Sequence, residues 1–197
     1  MRKSRLAVLT VGVSLLVAGL LASPSIAAAK STDVTIRLTA VVYDVNNPNG
    51  LPLGIQPGEE ISGSYTYNPQ TKDADSRVAF GFYPHTQQPY GIQLNMGGFS
   101  VQTDAANVDF QITISNNDDS GSDNHAVVSF NNISNEGGPG CDIIAWHLAD
   151  PTHTALSNAV LKKTAPVVSS WQSSELEVTG PDEIYRIRAH VTQAVVA

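Results

Sequence analysis

The chain of 197 residues contains one cysteine, Cys141. A single thiol excludes an internal disulfide, so stability has to come from packing and backbone pairing. Its neighbours Pro139, Gly140 and Asp142 suggest the start of a strand, with a small half-buried side chain; an intermolecular disulfide is the other reading. Asp142 argues against a nucleophile, because an adjacent carboxylate disfavours the thiolate. Basic residues are also scarce, 11 against 18 acidic ones. A surface of that sign repels phosphate backbones and anionic headgroups, so nucleic acid is not an expected partner.

Catalytic signatures are missing too. Gly63-Ser64 lies inside an apparent strand with no Gly-x-Ser-x-Gly around it, and no glycine-rich loop opens a helix to cradle phosphate. The five histidines, His85, His125, His147, His153 and His190, are far apart, and none has the short spacing that puts two imidazoles on one helix face. Close carboxylate pairs prove little among 18 acids, so a non-catalytic protein is the expectation.

What the chain does have begins at its N-terminus. Arg2, Lys3 and Arg5 precede an uncharged apolar run, Leu6 to Leu21, and small residues at Ser25-Ile26-Ala27 or Ala27-Ala28-Ala29 suit a signal peptidase. The expectation is a signal peptide over 1–29 and a single domain over 30–197, exported to the periplasm or beyond, with no membrane anchor after cleavage. The run is shorter than the roughly 20 residues of a membrane span and ends in Pro24, not in basic stop-transfer residues. Removing a leader with three basic and no acidic residues leaves eight basic residues against 18 acidic, a formal charge of −10. Apolar residues at 42% and charged ones at 15% indicate a globular chain with a sizeable core.

After the leader, apolar residues recur with period two, the mark of strands with one buried face. Val34, Ile36, Leu38, Ala40 and Val42 alternate with polar residues until Asn46 to Gly54 breaks the pattern with three Asn, two Pro and two Gly. The alternation returns at Ile61 to Tyr67, Arg77 to Tyr83 and Tyr90 to Met96. Gly97-Gly98 can supply the positive φ of a tight hairpin into Thr103. Val108, Phe110, Ile112 and Ile114 are answered by Ala126, Val128 and Phe130, which predicts a hairpin with a long polar loop. Ile143 to Leu148, containing Trp146 as a core residue, Leu176 to Val178 and Ile184 to Val191 bring the count to about ten short strands. Their number and spacing predict an all-β antiparallel β-sandwich, jelly-roll-like or Ig-like, although closure into a barrel produces the same alternation. Asp150 to Ser170 lacks an amphipathic stripe and reads as a crossover loop, with room for one helical turn at Ser157 to Leu161 and with Leu156, Val160 and Leu161 capping the core.

The order Gly63-Ser64-Tyr65-Thr66-Tyr67, Asp73-Ala74-Asp75, Gly81-Phe82-Tyr83 and Gly97-Gly98, followed by Leu148-Ala149-Asp150, Leu156, Leu161, Pro166, Trp171, Leu176 and Tyr185-Arg186-Ile187, resembles a group of exported bacterial β-sandwich proteins of uncharacterised function, many of which carry a PEP-CTERM sorting tail. The resemblance implies a fold and an extracytoplasmic location, not an activity. Thr192 to Ala197 holds no Pro-Glu-Pro motif, apolar helix or basic tail, so free secretion or periplasmic residence is expected instead of sorting.

Two places suggest ligands. Ser115 to His125 packs three carboxylates and three amides into one loop, the hard oxygen donors that Ca²⁺ prefers, with Asn116, Asp118, Asp119 and Asp123 as candidate ligands. An EF-hand template fails, since starting at Asn116 it puts Ser120 at the fifth position and Val127 where the bidentate glutamate belongs. A solvated hairpin loop is the plain reading of the same residues. Trp171, framed by Ser169, Ser170, Gln172 and Ser173, is the candidate centre of an exposed aromatic platform with Tyr67, Tyr83 or Tyr90 beside it. Two functions follow as expectations: a non-catalytic matrix or envelope protein contacting polysaccharide or other envelope proteins, or a carbohydrate-binding module, Ca²⁺-stabilised if the acidic loop holds the ion.

Overall fold

The computed structural model describes residues 32–117, 121–135 and 137–197. Eleven strands form one antiparallel sheet: β1 (Val34–Asn46), β2 (Glu60–Tyr67), β3 (Phe80–His85), β4 (Gly91–Met96), β5 (Phe99–Thr103), β6 (Phe110–Ser115), β7 (Asp123–Ser129), β8 (Asn132–Ser134), β9 (Ile143–Asp150), β10 (Ser173–Thr179) and β11 (Arg186–Val196). Their order across the sheet is β3-β6-β7-β9-β10-β11-β1-β2-β4-β5-β8. All-β architecture is therefore as expected, but in place of two separate layers there is one continuous sheet curled into a half-barrel.

The continuity depends on the two longest strands. β1 runs 13 residues and β11 runs 11, and they pair along most of that length. Register shifts at Thr39/Ala40 and Val42/Asp44 interrupt their ladder. Such bulges raise the local twist and bend a strand, which is how a wide sheet curls without tearing its hydrogen bonds. The curl brings the ring of Tyr65 on β2 within 6.4 Å of Phe110 on β6 and 6.0 Å of Trp146 on β9, although those strands lie far apart in the sheet. Thr103 on β5 and Ser129 on β7 meet through their hydroxyls at 2.8 Å.

Inward residues follow the period of the pleat. On β1 they are Val34, Ile36, Leu38, Ala40 and Val42, all buried, as the alternation requires. The β4–β5 turn uses the predicted glycines, with Gly97 at φ 52°. Any Cβ there would lie 2.1 Å from the carbonyl oxygen of Gly54, so the close approach itself demands glycine. Leu53, in the segment that breaks the alternation, and Ile55, just after it, are buried and join the core.

The predicted β6–β7 hairpin is present, with Ile112 opposite Val127 and Ile114 opposite His125. Its second strand, however, has the other face inward. Asp123, His125, Val127 and Ser129 are all buried; of the residues expected inward, Val128 is buried but does not join the core, Ala126 is half-buried and Phe130 is 40% exposed. A shift of one residue turns every side chain over, and here the apolar spelling at 126, 128 and 130 disguised an inward face with three polar members. Phe80 to His85 replaces the expected Arg77 to Tyr83 strand, leaving Val78 almost fully exposed.

The crossover from β9 to β10 has no α-helix; its one helical element is the 3₁₀ turn Val168–Ser170, so Ser157 to Leu161 forms no turn of helix. Leu161 and Ala159 are buried and Leu156 packs on the core, but Val160 is 60% exposed and does not cap it. Cys141 is buried and bridges Asn132 just before β9, its thiol pushed up to about 12 by burial and by Asp142. Neither nucleophile chemistry nor an accessible intermolecular thiol suits that position.

Candidate ligand-binding pocket

Along 150–162 the crossover is held onto the sheet by four side chains. Asp150, at the end of β9, accepts hydrogen bonds from the N–H groups of Thr152 (2.9 Å), Thr154 (2.9 Å) and Ala155 (3.1 Å) and from the hydroxyls of Thr152 and Thr154. The Thr152 hydroxyl, with the N–H groups of Thr154 and Thr152, holds the Asp150 carboxyl well below the usual carboxylate range. Asp123, its direct partner across the β7–β9 ladder, accepts from Leu156 N–H at 2.8 Å and from Asn117 N–H at 3.0 Å. The Tyr83 hydroxyl donates to Ala159 O (2.7 Å) and accepts from Leu161 N–H (3.2 Å). Tyr67 donates to Lys162 O at 2.6 Å. Each of these groups satisfies crossover backbone that no strand pairs, and unpaired buried backbone is costly.

Gly81 makes the fit possible. A Cβ at that position would sit 2.4 Å from Ala159 O, so a larger residue pushes the crossover away from β3. The contribution of the tyrosine pin is measurable by itself. Tyr83→Phe leaves both Ala159 O and Leu161 N–H without their partner and is expected to lower stability by about 2 kcal/mol. Urea unfolding with an unchanged m-value reads this directly; a midpoint equal to that of the wild type would show that the crossover is held elsewhere.

Between crossover and sheet lies a cavity of about 170 Å³. Tyr65 and Tyr67 of β2, Ile112 and Ile114 of β6 and His125 of β7 line its sheet side; Leu156, Leu161 and Trp171 line the side made by the crossover. Lys162, Thr164 and Ser170, all exposed, stand at its edge. His125 packs edge-on between two indoles, 6.2 Å from Trp146 and 6.4 Å from Trp171. Its Nε2 is buried and, among the described residues, has no hydrogen-bond partner. Burial, helped by the positive charge of Lys162, lowers this imidazole to about 4, so it is neutral at pH 7.

No protein-family model, curated protein or solved structure matches the chain. The chemistry of the site therefore rests on its own residues. Trp171 and Tyr67, two of the four aromatics expected to form a platform, do line one site, but as cavity walls and not as an exposed surface. Trp171 is half-buried and packed against the core, and Tyr67 is 2% exposed. Tyr83 is buried behind the crossover. Tyr90 is remote from this cavity, edge-on to His85 at 4.9 Å with its hydroxyl donating to Asp33 at 3.1 Å. A flat platform of Trp171 with Tyr67, Tyr83 or Tyr90 is thus replaced by a recess, because the two inward tyrosines spend their hydroxyls on crossover carbonyls.

Of the calcium candidates, Asp118 and Asp119 lie outside the described residues. Asn116 is half-buried, its N–H on Ala79 O and its side-chain oxygen taking Asn117 Nδ2 at 3.4 Å. Asp123 points inward, with both carboxylate oxygens engaged by backbone N–H. Among the described residues, no three His, Cys, Asp or Glu side chains gather as a metal-holding group.

His125, Tyr65, Asp150 and Lys162 were not among the candidate site residues chosen from the sequence. One signal pointed to the first. Reading the period-two pattern back from Val127, not from Val128, brings His125 and Asp123 to the inward face.

Proposed function

We propose that the protein is a non-catalytic, exported β protein of the periplasm, matrix or envelope, and that it works by binding through the recess under its crossover segment. The observation that carries this reading is the recess itself: a preformed concave site with aromatic walls, held open by four dedicated side-chain anchors. The signal-like leader supports export, and the resemblance to exported proteins of the PEP-CTERM kind supports the same compartment. The facing halves of the curled sheet serve as the two layers of a β-sandwich, which places the recess at the edge of that core.

A carbohydrate-binding module is the second reading, favoured by the convergence of Trp171 and Tyr67 on one site with Thr164, Ser170 and Lys162 at its edge. Glycan-array and envelope-polysaccharide binding by the mature chain tests both. The expected result is binding that Trp171→Ala weakens at least about tenfold, the loss of one aromatic contact of roughly 1.4 kcal/mol. Binding that is indifferent to Trp171→Ala removes the recess from the interaction. Mass spectrometry of the exported chain is expected to find Lys30 at its N-terminus; retention of Met1 in the cytosol rules out export.

A further inference from the structure

The chain carries 18 acidic residues against 11 basic ones, yet among the described residues that line the recess the one with a formal charge is a cation, Lys162. Every ion pair among the described residues uses an arginine: Arg77 with Asp75, Arg186 with Glu177 and Glu183, and Arg188 with Asp44. Lys162 joins none of them. Its charge is near enough to oppose protonation of His125 on the sheet wall, so the ammonium stands on the side of the recess. A cation without a carboxylate partner beside a preformed concavity favours a ligand that brings an anionic group, because charge-assisted hydrogen bonds are about twice as strong as neutral ones.

The neighbouring walls say what carries that group. The half-buried indole of Trp171 offers apolar surface, and exposed Thr164 and Ser170 put hydroxyls beside Lys162 at the mouth. Apolar and polar surface in such close alternation suits a pyranose, whose ring faces are C–H and whose rim is hydroxyl. A cavity of about 170 Å³ is close to the roughly 150 Å³ that admits benzene, so it has room for one six-membered ring. Because the residues at the mouth are solvent-exposed, a glycan can continue outside on either side of that ring. Net charge sets a limit on the glycan. At −7 the chain repels a polymer with a carboxylate on every residue, whereas a lone carboxylate within about 10 Å of Lys162, the screening length at 0.1 M salt, responds mainly to that lysine.

We infer that the recess binds a single hexuronate residue of an otherwise neutral glycan, with its ring against Trp171, its hydroxyls toward Thr164 and Ser170 and its carboxylate on the Lys162 ammonium. This inference rests on the reading of the recess as a carbohydrate site and narrows it to a substrate class.

The test titrates the exported chain at pH 7 with methyl glucuronide, methyl glucoside and tetraglutamate, following the indole N–H resonance of Trp171. The two sugars differ by a carboxylate in place of a hydroxymethyl group, and tetraglutamate stands for an acidic peptide. Glucuronide is expected to bind about tenfold more tightly than glucoside and to shift the indole resonance. Lys162→Gln is expected to erase that preference; it keeps the backbone carbonyl to which Tyr67 donates, so the deciding variant leaves the anchoring of the crossover intact. Lys163→Gln removes the same charge one residue along and outside the lining, and is expected to preserve the preference. Trp171→Ala is expected to weaken both sugars. Equal affinity for the two sugars, a preference that survives Lys162→Gln, or an equal loss in Lys163→Gln overturns the inference. Sugar binding indifferent to Trp171→Ala overturns it too, as does tetraglutamate binding as tight as glucuronide, which would point to an acidic peptide. Glucoside binding through Trp171 without any glucuronide preference overturns the acidic class but leaves the carbohydrate reading standing. No binding by any probe overturns it, and the glycan and envelope arms above then judge the broader role separately.

Discussion

Lowering the pH from 7 to 4 is expected to remove about 3 kcal/mol of stability through one side chain, His125. The imidazole titrates near 6.5 in the unfolded chain and near 4 in the native one, because burial and the Lys162 charge oppose its protonation. Above 6.5 neither state holds the proton and the full stability is present. As the pH falls from 6.5 towards 4, the unfolded chain takes up a proton that the native protein excludes, so stability drops until the native imidazole titrates as well. His85 adds to the trend with the same sign. Its Nε2 accepts from Asn68 N–H at 3.2 Å while Nδ1 faces Tyr83 O at 3.0 Å, and burial lowers its affinity for a second proton. The Asp150 and Asp75 carboxyls, held low by the Thr152 and Arg77 contacts respectively, act in a separate window below the ordinary carboxylate range.

Urea midpoints at a series of pH values between 7 and 4.5 measure the slope. His125→Leu is expected to be within about 1 kcal/mol of the wild type at pH 7, since it removes an unpartnered polar atom while filling similar space. It is expected to flatten the acid slope, leaving the part due to His85. If the slope survives the substitution unchanged, the imidazole is accessible to protons in the native state and the recess is wet. That measurement is independent of ligand.

Trp146→Ala is expected to be the most damaging single truncation, with a loss of about 4 kcal/mol. The indole is fully buried on β9, 6.0 Å from Tyr65 and 6.2 Å from His125, and its Nε1–H donates to Ser174 Oγ at 3.0 Å. It therefore touches both halves of the curled sheet and supports the floor of the recess. Removing it leaves a large cavity in the middle of the core and an idle Ser174 hydroxyl. Urea unfolding gives the size of the effect; a loss below about 1 kcal/mol would mean that the sheet collapses freely into the space, contrary to packing built around that ring. Trp146→Phe separates packing from the hydrogen bond, and is expected to recover more than half of the loss.

Several elements were legible in the linear chain because their signals are local. Alternation at Val34 to Val42 and at Phe110 to Ile114 marked β1 and β6, the Gly97-Gly98 pair marked a hairpin, and Trp146 in an apolar run marked a core residue. The β7 face was misread because its inward positions hold Asp123, His125 and Ser129, polar residues that a search for apolar periodicity passes over. Those are the positions where the fold needs polar chemistry: Asp123 caps crossover backbone, Ser129 meets Thr103, and His125 enters the recess. Departure from the local rule thus coincides with the candidate site, where such departures are expected.

By itself the sequence determined the strand content, the absence of a disulfide, the acidic surface and the loop nature of the crossover, since each follows from residue types or from the two-residue period of the pleat. Only the tertiary structure decided that the strands join into one curled sheet and that Trp171, Tyr67 and His125, up to 104 positions apart in number, line one recess. The reason is physical. A pleat records which side of a strand is buried, but strand partners are chosen by long-range hydrogen bonding and by the bulges of β1 and β11, whose effects no short window of residues contains.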